Sequence, residues 1–331
     1  MTFRHFLSWK PLFYDGLLPT LRALGPARAD ALLGMLGRAT ATAWPPRGRA
    51  LEAALRRVEA ALGPTADWDH ARTLRALEEN VPRFLARDCP LDDDPEARFF
   101  ARFDVAGFAH LEAALAEGRG VILLGCHLGA HLSAPHWIYR KGLPLRMLIQ
   151  RPAHVSKLLR GRFDVVDGSH LQSGFFLNRR LTPEEASKRV FRTRSALRDG
   201  LIVYLKGDVP WVGPNTRPGR LLGQTQSFQS LWAEFAGLFR APVVPVFCTH
   251  RPQGRYALSF DPALKIARGD EAAAVARYLT RLETEIVAHP ADAVGHLLWP
   301  CYGPQRLGDA RDPAQPGRRS RVHNPESLPV V

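Results

Sequence analysis

The chain has 331 residues, 46% of them hydrophobic and 23% charged, which is enough apolar surface for a sizeable core and excludes a disordered chain. Lys and Arg total 45 against 32 Asp and Glu, and the resulting charge of +13 favours anionic partners such as phospholipid surfaces, phosphorylated lipids or acidic carrier proteins. An Arg- and Ala-rich coding bias produces the same excess without any partner, and no nucleic-acid-binding module accompanies it.

The first residues, MTFRHFLSWKPLFYDGLL, mix Phe, Trp and Leu with Arg4 and Lys10 but form neither a signal peptide nor a spanning helix. They suit either an interfacial segment on an anionic leaflet or a buried first helix. Residues 19 to about 88 read as helical, with apolar residues at helical spacing over Arg47–Leu62 and Trp68–Arg87. Pro45-Pro46 and Gly63-Pro64 punctuate them.

From Arg102 onward short apolar strands alternate with helices. Strands are expected at FDV (103–105), GVILLG (120–125), LRMLI (145–149), FDVV (163–166), LIVYL (201–205), APVVPVFC (241–248) and YALSF (256–260), the last two paired. Thr182-Pro-Glu-Glu185 is a capping box opening a helix that Gly200 stops. Helices are also expected over Ser227–Phe239 and 271–288. This alternation predicts an α/β fold with a mostly parallel central sheet flanked by helices, joined to an N-terminal helical region. The expected division is a membrane-docking helical region over 1–100, an α/β domain over 101–300, and a disordered Pro/Arg/Gly-rich tail over 301–331.

In such a sheet, functional groups gather where strands end and helices begin, and His127 stands at such a junction in GVILLGCHLGAHLSAP. A neutral imidazole there can take a proton from a hydroxyl attacking a thioester. The bland alternative is a structural His bonded to a nearby carbonyl. His127 and His131 also have the i, i+4 spacing of metal ligands on a helix, but Leu128 replaces the Glu of the zinc-protease pattern, so no metal is expected. Cys126 is adjacent to His127, yet neighbouring residues point apart, which argues against a nucleophilic dyad. The four cysteines, Cys89, Cys126, Cys248 and Cys301, contain no CxxC pair and suit reduced thiols.

Five segments occur in an order that resembles one family: FDVAGFAHLEAALAEGRGVILLGCHLG, MLIQRP, DGLIVYLKGDVP, SFQSLWAEFAGLFRAPVVPVF and PADAVGHLLWP. From about Phe103 to Trp299, and more loosely through the N-terminal helices, the chain is similar to the lipid A biosynthesis lauroyl/myristoyl acyltransferases, relatives of the glycerolipid acyltransferases. The resemblance implies an acyl carrier protein thioester as donor, a lipid or glycolipid hydroxyl or amine as acceptor, and no cofactor. It also implies a peripheral place on the cytoplasmic face of the bacterial inner membrane. His127 would be the general base, and Arg151 the strand-end arginine that holds anionic substrate groups. His131, Arg217 and Arg220 are further substrate-binding candidates, the two arginines in a loop over 206–227 able to close on a headgroup.

The family pattern pairs its histidine with an acidic residue five positions later, and this chain has Leu132 there. A substitute carboxylate is therefore needed to orient the imidazole. Asp208 is the first candidate, Asp164 and Asp167 weaker ones. Without one, the chain would be a non-catalytic member that binds lipid or acyl carrier protein.

Overall fold

The computed structural model describes residues 9–43, 45–163, 171–177, 182–211 and 213–298. The expected tail, Asp164 and Asp167, and the FDVV strand beyond Phe163 lie outside the described residues.

A π-helical turn over Leu12–Leu17 leads into α1 (Leu18–Ala23), α2 (Pro26–Ala43), α3 (Pro45–Leu62) and α4 (His70–Ala86). Asp69 caps α4 by accepting the Arg72 N–H at 3.0 Å, satisfying a donor that the helix start leaves unpaired. Leu77 and Val81 of α4 meet Leu51 and Leu55 of α3 in a buried cluster, the apolar stripe that the spacing predicts. Among the described residues no helix is long and apolar enough to cross a membrane.

After α5 (Glu96–Ala101), the chain runs β1 (Phe103–Ala106), α6 (Phe108–Ala116), β2 (Val121–Gly125), α7 (Ser133–Arg140), β3 (Leu145–Met147), α8 (Lys157–Phe163), α9 (Pro183–Arg198) and β4 (Ile202–Lys206). The hairpin β5 (Thr216–Leu221) and β6 (Gln224–Gln229) follows, then α10 (Leu231–Phe239), β7 (Val243–Arg251), β8 (Arg255–Phe260), α11 (Glu271–Ala288) and α12 (Val294–Leu298). The six-stranded sheet has the order β1-β8-β7-β2-β4-β3. It is parallel except between β7 and β8, which form an antiparallel pair.

Helices cover both faces, so the central strands are buried on both sides and read as continuous apolar runs. Along β4, Val203 and Leu205 face one core with Trp232 and Tyr278, whereas Ile202 and Tyr204 face the other with Trp137 and Ile138. The capping box at Thr182 and Glu185 forms as predicted, and α9 ends at Arg198 ahead of Gly200.

Three expectations are corrected. Phe163, expected to open a strand, is the last residue of α8 and is buried beside Phe176. Residues 224–229 are a strand, and the apolar helix begins at Leu231 instead of Ser227. The loop expected over 206–227 is mostly the β5–β6 hairpin, braced on α11 where the Leu222 N–H donates to Glu283.

Candidate active site

The adjacent strands β2 and β4 end in register, Gly125 opposite Lys206. The Gly207 N–H and the Tyr278 hydroxyl both donate to the Gly125 carbonyl, at 2.9 and 2.8 Å, which fixes the two strand ends against each other. Immediately beyond them stand His127 and Asp208. The His127 Nδ1 lies 2.9 Å from Asp208 Oδ1, and the His127 backbone N–H donates to Asp208 Oδ2 at 2.6 Å. A third contact comes from α12, whose His296 Nε2 is 3.0 Å from the same Oδ2. Gly295 admits this approach, because a Cβ there would meet the His127 carbonyl oxygen at 2.6 Å.

Residues 127–132 are a turn between β2 and α7, which begins at Ser133, so His127 stands ahead of the helix as expected but His131 is not on it. The cause is Gly129, whose φ of +52° belongs to the left-handed region. Its N–H donates to the Asp292 carbonyl at 2.9 Å, and the Ala130 N–H donates to that of Cys248 at 2.8 Å. A Cβ at Gly129 would lie 2.8 Å from the Cys248 carbonyl oxygen and 2.9 Å from Asp292 Oδ1. The turn still brings His131 beside His127, ring centroids 5.5 Å apart, but it does so without a shared helix face.

Asp208 is fully buried, while the His127 side chain retains 12% exposure. Burial alone would raise the Asp208 carboxyl, but the imidazoles of His127 and His296 hold it well below the ordinary carboxylate range. Burial pushes His127 down to about 3 against the pull of Asp208, with Lys206 adding to the fall. The resting state at neutral pH is therefore an ionised carboxylate beside a neutral imidazole. With Nδ1–H donating to Asp208, the imidazole's lone pair is on Nε2, the arrangement a general base needs. Burial also lowers the Lys206 ammonium to about 7, and it lowers His131 well below its usual value.

The two residues nominated as catalytic are thus in contact. Of the substrate-binding candidates, His131 is beside them, with its Nδ1 buried and without a hydrogen-bond partner among the described residues. The guanidinium of Arg151 lies 5.7 and 5.6 Å from the ring centres of Phe163 and Phe176. Arg217 and Arg220 ride on β5 instead of a closing loop, and Arg217 Nη1 is 3.6 Å from Glu234. Leu132, which takes the place of the family's acidic residue, is buried in an apolar cluster with Trp137 and Tyr204. Cys126 is buried, and burial pushes its thiol far above the ordinary range, so no thiolate is available beside His127. Sequence reasoning missed His296, although PADAVGHLLWP contains it, because that segment was read only for its Pro and Trp. Lys206 falls at the start of the loop expected over 206–227, where nothing local marks it out.

No curated protein matched the chain. Residues 1–294 match the family model described as bacterial lipid A biosynthesis acyltransferase. With that match covering most of its length and a strand-end histidine at its centre, the chain belongs to the bacterial lipid A biosynthesis acyltransferase family.

Proposed function

We propose that the protein moves a fatty acyl group from an acyl carrier protein thioester to a hydroxyl or amine of a lipid or glycolipid acceptor, with His127 as general base. The observation that carries this reading is the 2.9 Å contact between His127 Nδ1 and the buried Asp208 carboxylate. Nε2 removes the acceptor proton as its oxygen or nitrogen attacks the thioester carbonyl. The imidazolium so formed is stabilised by Asp208. Collapse of the tetrahedral intermediate breaks the C–S bond, and Nε2 returns the proton to the leaving thiolate. The Nδ1 of His131, buried and without a hydrogen-bond partner among the described residues, would meet a polar group of the acceptor. Such an edge would otherwise carry an uncompensated desolvation cost.

The protein would work as a peripheral protein on the cytoplasmic face of the inner membrane. Leu12, Leu32 and Met35 on the first helical segments, and Leu24 at the end of α1, are exposed, Leu12 at 75%. They supply apolar contacts for the interface, and the net charge of +13 supplies attraction to anionic lipid.

Acyl transfer from a carrier-bound thioester to a glycolipid acceptor tests the reading. His127→Ala is expected to lower the rate by about 10²–10⁴; an unchanged rate removes His127 from the mechanism. Lipid or carrier binding by wild-type protein without turnover across donors would instead identify the non-catalytic, binding-only member.

A further inference from the structure

A cavity of about 400 Å³ lies between α1, α2, the C-terminal end of α4 and the turn joining β7 to β8. Its volume falls within the range of small-molecule sites. His127 and Asp208 do not line it. One wall is apolar, formed by Leu18, Leu21, Ala29 and Leu33. The rest of the lining is crowded with charge, and nearly all of that charge is internally matched: Arg83 with Asp30 at 2.7 Å, Arg22 with Asp92 at 3.0 Å, and Arg102 with Asp94 at 2.6 Å.

Arg87 is the exception. It lines the cavity and donates to the His154 carbonyl at 3.0 Å, but among the described residues it pairs with no carboxylate. It also holds the C-cap of α4 at φ 56° and ψ −130°, a backbone conformation that glycine adopts more readily than a residue with a side chain. The lining also includes His250, whose Nδ1 is fixed by Asp292 at 2.8 Å. Asp292 also receives the Gly129 N–H on its backbone oxygen, which links the cavity lining to the turn carrying His127.

We infer that this cavity binds the oxyanion head of a single-chain amphiphile. Arg87 and His250 would hold the phosphate or carboxylate, and Leu18, Leu21 and Leu33 the first part of the alkyl chain. An unmatched guanidinium in a partly enclosed site with one greasy wall has few better partners. The inference goes beyond the acyl-transfer reading and does not depend on which residue performs the chemistry.

Titration calorimetry of the full chain with dodecyl phosphate below its critical micelle concentration tests it, with inorganic phosphate and dodecyl maltoside as comparisons. Dodecyl phosphate is expected to bind at least about tenfold more tightly than either, since only it offers both charge and chain. Arg87→Gly, which removes the charge and suits the backbone, should weaken binding about tenfold or more, whereas Arg87→Lys should largely preserve it. Equal affinity in Arg87→Gly overturns the proposal. So does inorganic phosphate binding as well as the amphiphile, which would mark a site for free oxyanions only, or the maltoside doing so. Should Arg87→Gly not fold, Ala29→Leu fills the cavity from its apolar wall, and unchanged binding in that variant is equally fatal. Because the assay contains no acyl donor, its outcome is read separately from the activity of the His127 variant.

Discussion

His127 and Asp208 are 81 positions apart in the chain, and their side chains meet at 2.9 Å because β2 and β4 are neighbours that end in register. The carboxylate that a local pattern would supply from the same turn comes here from the next strand. Asp208→Asn keeps the shape but removes the charge proposed to stabilise the imidazolium, so kcat is expected to fall by about 10²–10⁴, measured where the variant is fully folded because loss of the buried carboxylate also lowers the melting temperature. Steady-state acyl-transfer kinetics beside a thermal melt check this; a kcat within a factor of two of wild type would dismiss Asp208 from the reaction.

Leu132→Glu, which restores the family's spacing, is expected to damage the protein. Leu132 is 3% exposed among Trp137, Tyr204 and other apolar side chains, and a carboxylate there has no evident partner. The expected cost is about 3 kcal/mol or more of stability, with no gain in transfer rate. Urea denaturation and the transfer assay together decide it. A stable and faster Leu132→Glu would show that the site lacks the anion attributed to Asp208.

The pH dependence follows from the depressed imidazole. The folded value for His127, about 3, is below its ordinary 6.5, so the unfolded chain binds more protons between them. The contribution is fully present above pH 6.5 and is lost as pH falls toward 3, and Asp208, also depressed, acts in the same direction at the acid end. Urea midpoints should fall from pH 7 to pH 4, with a smaller fall in His127→Gln. Identical slopes in the two proteins would contradict the assignment.

Gly129→Ala places a methyl group 2.8 Å from the Cys248 carbonyl oxygen at a left-handed φ. The expected loss is about 1–3 kcal/mol, with a fall in activity beyond that explained by unfolded protein, because the turn holding His127 must shift. Activity per folded molecule, measured at a temperature where the variant is fully folded, separates the two effects.

Docking on a bilayer should depend on the exposed side chains of the first helices. Replacing Leu12 and Met35 with Ser is expected to reduce partition into phosphatidylglycerol vesicles about tenfold or more, from a contribution of about 1 kcal/mol or more for each apolar side chain. Co-sedimentation with vesicles measures it, and high salt should weaken the wild type as well.

Much of the architecture was legible in the residues themselves. The capping box at Thr182 and the helix over 271–288 follow directly from local side-chain chemistry and apolar spacing. The β5–β6 hairpin did not announce itself, because TRPGRL and QTQSFQ lack alternating apolar residues. Its turn uses Leu222 and Gly223, both at positive φ, instead of the Asn-Gly that advertises such turns. At the site, His127 and Asp208 could be nominated from their places at strand ends. His296 could not, since its contact depends on how α12 folds back over β2 and β4, a long-range packing event with no local signature.

That contact has a consequence for truncation of the chain. Asp208 is joined to a partner 81 residues before it and to another 88 residues after it, so its full set of bonds draws on both halves of the chain. A chain cut before α12 would leave one bond of the buried Asp208 carboxylate unmade.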